Sequence, residues 1–230
     1  MMPFFKLLSL KLLFALLILV QTFFIQIAMA NDDYPVGIKP DLPFVTVYHQ
    51  GQKVILKRIQ DTSHKLVDDF TRTSRPCPPF CIQPIFIEPE IYPFGELEIV
   101  NFLENQVKSG KGVLVDARLP SFYNAETIPG SVNIPWVLFT NDKKRKDVFK
   151  LLGVTKRADN TLDFTNALEL CLFCSGPSCG QSPIAIKALY KAGYPASKLK
   201  YYRGGLQVWK LFGFMTILSK SNIVGEEAKK

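Results

Sequence analysis

Two cysteines frame a short uncharged loop, Cys174-Ser175-Gly176-Pro177-Ser178-Cys179-Gly180-Gln181, which follows an apolar run and precedes a helical pattern starting at Ser182 and Pro183. A thiolate, and not a thiol, is the nucleophile in sulfur chemistry. A cysteine where a strand gives way to a helix faces the helix N-terminus, whose free N–H groups and dipole favour negative charge and lower a thiol's pKa. Gly176 and Gly180 permit a close ring of N–H donors around such a sulfur. No side chain from Ser175 to Gln181 is charged, so the remaining electrostatics must come from the backbone and from bases such as Arg118 or Arg203. Cys174, at the strand end, is the expected nucleophile. Cys179 lies close enough in sequence to close a disulfide with it, to resolve an intermediate, to shield it from over-oxidation, or to take its place.

The other three cysteines read differently. Cys171 lies inside the apolar run Leu168 to Phe173 and is expected to be a buried strand residue. It forms a Cys-x-x-Cys with Cys174, but on a strand and not at a helix start, which argues against a thioredoxin-like motif. Cys77 and Cys81 sit in the Pro-rich stretch Ser74 to Pro84 and suit a local disulfide. The sharper alternative joins them with Cys174 and Cys179 in a four-cysteine metal site, which the spacing permits.

These residues need a scaffold. Strands are expected at Val113 to Val115 running into Asp116, at Ser131 to Ile134, at Leu168 to Phe173 and at Leu199 to Tyr202. Helices are expected at Glu96 to Val107, with Leu97, Val100, Leu103 and Val107 as the apolar stripe, and from an Asn141 cap to Lys150. Two more are expected at Pro183 to Ala192, with Ser182 as N-cap, and at Leu206 to Leu211, with Trp209 and Phe212 as core residues. Strands alternating with helices imply an α/β fold, a parallel sheet with helices on both faces. Residues 31–94 are Pro-rich and irregular, with a β-hairpin formed by Phe44 to His49 and Lys53 to Ile59.

The chain has 230 residues, 47% hydrophobic and 21% charged, which excludes a wholly disordered or collagen-like polymer. The net charge of +8 alone fits nucleic acid, anionic lipid or a small anionic substrate. Lys143 to Lys146 reads as a solvated helix face, so no nucleic-acid partner is expected. His49 and His64 are isolated and read as structural or surface residues. Residues 1–30 read as a signal peptide: Lys6 and Lys11, the apolar run Leu12 to Val20, then Ala28-Met29-Ala30 before a polar stretch. The protein is therefore expected to be exported, periplasmic in a Gram-negative bacterium and secreted otherwise. It would meet a membrane only through an uncleaved signal. Export would place five cysteines, an odd number, in an oxidising compartment.

An ordered set of motifs then carries a family resemblance. Val113-Leu114-Val115-Asp116-Ala117-Arg118, Ile128-Pro129-Gly130-Ser131-Val132-Asn133-Ile134-Pro135, the Cys174 loop, and Arg203-Gly204-Gly205 followed by Trp209 and Gly213 resemble the rhodanese family over residues 95–217. The segment Arg75-Pro76-Cys77-Pro78-Pro79-Phe80-Cys81 is similar to one in exported rhodanese-like proteins with a long loop. The resemblance implies a sulfurtransferase in which Cys174 takes sulfane sulfur from thiosulfate or a polysulfide as a persulfide. The sulfur then passes to cyanide or a thiol, a protein thiol included. Residues 175–182 (Ser175, Gly176, Pro177, Ser178, Gly180, Gln181 and Ser182 beside Cys179) would bind the substrate. Asp116 would orient the loop and Arg118 would contact the anion. No metal or organic cofactor is expected. The chain departs from the family pattern in an eight-residue loop, in Gln181 where an arginine is common, and in Glu126-Thr127 where Gly-His is common. Those departures motivate two rivals: a non-catalytic redox-sensing or binding module with a Cys174–Cys179 disulfide, and a thiol–disulfide oxidoreductase. Residues 218–230 are expected to be a C-terminal tail.

Overall fold

The computed structural model describes residues 34–219. The signal segment expected over residues 1–30, and all but the first two residues of the expected tail, lie outside the described residues. In chain order the first elements are β1 (Phe44–His49), β2 (Gln52–Lys57) and β3 (Tyr92–Pro93). Next come α1 (Glu96–Phe102), continued by a π-helical turn over Leu103–Val107, then β4 (Gly112–Asp116), α2 (Pro120–Ala125) and β5 (Ser131–Asn133). They are followed by α3 (Trp136–Thr140), α4 (Asp142–Leu151), β6 (Thr155–Lys156), β7 (Leu162–Asp163) and β8 (Glu169–Phe173). The chain closes with α5 (Gln181–Lys191), β9 (Leu199–Tyr202) and α6 (Gly205–Leu211).

The main sheet has five strands in the order β3-β9-β8-β4-β5, and every neighbouring pair is parallel. The apolar strand β8 takes the central position, where both faces are covered. Its side chains alternate between the two faces. Leu170 and Leu172 join one core cluster with Ala185, Ile186 and Leu189 of α5 and Phe149 and Leu152 at the end of α4. Cys171 and Phe173 join the other, with Ile99, Val100 and Phe102 of α1 and Leu206 and Trp209 of α6. Tyr201 and Tyr202 divide between the two clusters in the same way. The α4 helix starts as its sequence dictates, with the Asn141 side chain accepting from the Lys143 and Lys144 amides.

The hairpin β1–β2 turns through Gln50 and Gly51, both at positive φ (49° and 79°), as a two-residue loop requires. Val45, Val47 and Leu56 of this hairpin lie in the second cluster, against α1. Buried His49 ties the hairpin to the domain: Nδ1 accepts from the Gly130 amide (3.2 Å) and Nε2 meets Ser219 Oγ (2.9 Å).

The fold differs from the expectation in several places, among them α2, α3, β6 and β7, which carried no expected element. The sheet begins at Tyr92, before the expected boundary at 95, because β3 adds a fifth, edge strand beside β9. The buried face of α1 is Ile99, Val100 and Phe102, with Leu103 after it, while Leu97 is exposed. The helix after the cysteine loop starts at Gln181 behind a Gly180 N-cap, so Ser182 is a buried residue of its first turn and not its cap. Phe212 falls past the end of α6 and is exposed, while Trp209 is fully buried and stacks on Phe214 at 4.1 Å.

Candidate active site

The loop 174–180 leaves the carboxyl end of β8 and feeds α5, at the sheet edge where parallel α/β folds bind ligands. Its conformation is fixed from two sides. The Cys179 amide donates to the Gly176 carbonyl (2.9 Å), closing the loop on itself. The Leu206 and Gln207 amides at the start of α6 donate to the carbonyls of Cys174 (3.0 Å) and Ser175 (2.9 Å). This clamp brings α6 so close that Gly205 stands at φ +57° with no room for a Cβ.

The two loop thiols lie in different surroundings. Cys174, at the strand end, is buried: Ser182 Oγ donates to its sulfur (3.2 Å), and its thiol donates to the Cys179 carbonyl (3.1 Å). Burial first, then the neighbouring Cys179, pushes the Cys174 thiol well above its ordinary range. Cys179 is half-buried on the wall of an open cavity. The neighbouring Cys174 thiol foremost, then the Gln181 and Ser175 amides and the Arg118 charge, hold Cys179 down to about 7 against the opposing effect of burial. The pair therefore carries its negative charge on Cys179, where amides converge and water has access.

The supporting residues also move from their expected places. Arg118 is buried and bound to Asp116 through Nη2 (2.7 Å) and Nε (3.0 Å), so it acts on Cys179 through its field and is no surface anion contact. Asp116 spends its oxygens on Arg118 and on Thr127 Oγ1 (2.8 Å), holding these groups and not the cysteine loop. Glu126, in the altered Gly-His position, pairs with Lys210 (2.8 Å). Arg203 Nη1 donates to the Gln83 carbonyl (3.2 Å), which fastens the Pro-rich segment. Buried Cys171 is pushed far above its ordinary range by desolvation. The Tyr201 hydroxyl is buried with no hydrogen-bond partner among the described residues. Cys77 and Cys81 form a disulfide with Cα atoms 4.6 Å apart, which takes both sulfurs out of the four-cysteine metal alternative.

The cavity beside Cys179 measures about 390 Å³. Ser175, Gly176, Ser178, Gly180 and Gln181 line one side, as expected of the loop. The opposite side is made by Phe70, Arg75, Pro79 and Phe80 from the Pro-rich segment, with Phe122 and Gln207. The sequence signal for this side was the Arg75 to Cys81 segment, which holds Arg75, Pro79 and Phe80, while Phe70, Phe122 and Gln207 carried none. A second cavity of about 440 Å³, bounded by residues 34–43 and Arg58, holds no thiol.

A cysteine loop lies between a parallel strand and a helix, and residues 100–211 match the family described as Rhodanese-like domain. The chain thus carries a rhodanese-like domain over those residues. Among curated proteins it is similar to an HTH-type transcriptional regulator of Mycobacterium tuberculosis, 26% identical over 106 residues, 46% of this chain and 38% of that protein. Among solved structures it is similar to a thiosulfate sulfurtransferase from Pseudomonas aeruginosa (19% identity, 57% of this chain and 21% of that one, TM-score 0.41). It is also similar to a human single-domain sulfurtransferase (21% identity, 54% of this chain and 97% of that one, TM-score 0.37). The chain spans well under two thirds of the regulator and of the Pseudomonas enzyme.

Proposed function

We propose that the protein is an exported sulfurtransferase in which the Cys179 thiolate accepts sulfane sulfur, with Cys174 as its buried protonated partner. The observation that carries this reading is the place of Cys179 on the wall of an open cavity, with Cys174 buried beside it, and the neighbouring thiol foremost holds Cys179 down to about 7. The thiolate attacks the outer sulfur of thiosulfate. The new S–S bond forms as the bond to the sulfonate sulfur breaks, and sulfite leaves with the electron pair. Amide donors around the site stabilise both anions. Cyanide or an acceptor thiolate then attacks the outer persulfide sulfur and returns Cys179 to its thiolate. Polysulfide serves as donor by the same attack, with a shorter polysulfide leaving. An oxidised Cys77–Cys81 pair and the apolar run before Ala30 support export.

The test is mass analysis after thiosulfate treatment. The wild type and Cys174→Ser are expected to gain one sulfur atom on Cys179, and Cys179→Ser none. Sulfur retained in Cys179→Ser and lost in Cys174→Ser would overturn the assignment. Reactivity should follow the same thiol. Alkylation of Cys179 by iodoacetamide is expected to rise with pH through a midpoint at about 7, since only the deprotonated form attacks, and to fall as pH drops below it. Buried Cys171 should stay unmodified in the same protein. A midpoint near an ordinary thiol's value would count against the site.

A second reading has its own observation. The Cys174 thiol donates to the Cys179 carbonyl (3.1 Å), which holds the two loop cysteines side by side, as oxidation to a Cys174–Cys179 disulfide would require. A regulatory module would keep that bridge in protein taken from its native compartment and gain no sulfur after reduction.

A further inference from the structure

The segment Phe70 to Gln83 lies outside the residues that match the family, yet Phe70, Arg75, Pro79 and Phe80 from it line the cavity at Cys179. It is held there firmly. The Gln83 amide donates to the Pro177 carbonyl of the cysteine loop (2.8 Å), and the Gln83 carbonyl accepts from Arg203 (3.2 Å). Gln207 Nε2 donates to the Phe70 carbonyl (2.9 Å), and the Cys77–Cys81 disulfide closes the strap. Anchored at both ends, the strap presents a fixed surface to the reactive sulfur.

That surface has a definite chemistry. Phe80 and Phe122 keep 39% and 52% of their surface exposed at the cavity. Half-buried Phe70 adds a third ring. Arg75 is the charged side chain among the residues bounding this cavity. Its guanidinium lies 5.1 Å over the Phe80 ring and donates to a neutral acceptor, the Asp69 carbonyl (3.2 Å), which leaves its charge intact. Arg118, in contrast, is consumed by Asp116. One cation beside three aromatic rings suits an anion that carries an apolar group. Thiosulfate, small and doubly charged, would leave the rings in water.

Resting on the proposed sulfurtransferase reading, we propose that this strap is the subsite for the organic part of the sulfur donor. The donor is an organic thiosulfonate, R–SO2–S⁻, whose sulfonyl oxygens face Arg75 and whose R group packs on Phe70, Phe80 and Phe122. The Cys179 thiolate attacks the terminal sulfur, the S–S bond to the sulfonyl sulfur breaks, and the sulfinate R–SO2⁻ leaves with the electron pair. One anion enters and one leaves, and no other oxidant or reductant is needed.

The experiment measures kcat/KM for benzenethiosulfonate and thiosulfate, with cyanide as acceptor, in the full chain. Comparing variants within each donor cancels the donors' different intrinsic reactivity. Phe80→Ala is expected to cut the benzenethiosulfonate value about tenfold and to change the thiosulfate value less than about twofold, with Phe80→Leu between. Arg75→Gln is expected to lower both about tenfold. Equal effects of Phe80→Ala on the two donors, or none on either, would overturn the subsite while thiosulfate still loads Cys179. Failure of both donors to leave sulfur on any cysteine of the wild type would instead sink the sulfurtransferase reading, and the subsite with it.

Discussion

Asp116→Ala is expected to cost about 3–5 kcal/mol of unfolding free energy and to lower the melting temperature by about 10 °C. Asp116 and Arg118 are an ion pair with almost no solvent contact, at 0% and 2% exposure. The Asp116 carboxylate accepts from the Arg118 amide, from Arg118 Nε and Nη2, and from Thr127 Oγ1. Alanine removes the counter-charge and leaves a guanidinium enclosed with only the Glu126 carbonyl (2.6 Å) for Nη2. Desolvating an unpaired charge is the expensive step, so Asp116→Asn should lose most of the same stability despite its matching shape. Removing both charges at once, in Asp116→Leu with Arg118→Met, should recover much of it. Urea unfolding of the three proteins measures these differences. A loss under about 1 kcal/mol in Asp116→Ala would show that water reaches Arg118.

Gly205→Ala is expected to leave a folded protein whose sulfur loading falls at least about 100-fold. A Cβ at Gly205 would press on the Cys174 carbonyl and stand 2.7 Å from the Gly176 amide nitrogen. Both obstacles are backbone, so no side-chain rotation relieves them, and φ +57° adds strain of its own. What must move is the cysteine loop, or the first turn of α6 that clamps it. A displacement of about an ångström is enough to turn the amides away from Cys179, and misplacements of that size cost about 100-fold in rate. Far-UV circular dichroism would report the intact fold, and mass analysis after thiosulfate the lost loading. Loading within about threefold of wild type would mean that the loop tolerates the shift.

The strands and helices around the site were legible because their signals are local. An unbroken apolar stretch such as Leu168 to Phe173 has few alternatives to a covered central strand. Asn141 announces its helix through its own side chain. β3 was not legible: two residues, one of them proline, carry no periodic pattern, and they pair with β9 only because tertiary contacts bring them there. The face of α1 was read one step off because Leu97 and Ile99 are equally apolar, and only the packing of the hairpin selects between them. The cysteine loop shows the same divide. Its position after β8 follows from the sequence, whereas which sulfur meets water depends on how eight residues curl, and the curl buries Cys174 under Ser182. The helix start moved to Gln181 for the same reason. Phe70, Arg75 and Phe80 approach Cys179 from a hundred positions away through an irregular segment, which no local pattern encodes.

The hairpin β1–β2 has a consequence for how the protein can be taken apart. It sits as a cover beside the π-helical turn that continues α1, with Val45, Val47 and Leu56 in the same apolar cluster that holds Leu114, Cys171 and Phe173. Trimming the polypeptide to its family-matched stretch would strip that cover and bare a greasy flank. The reactive half cannot be carved free of its wrapping, and whatever partner meets this molecule meets the two as one object.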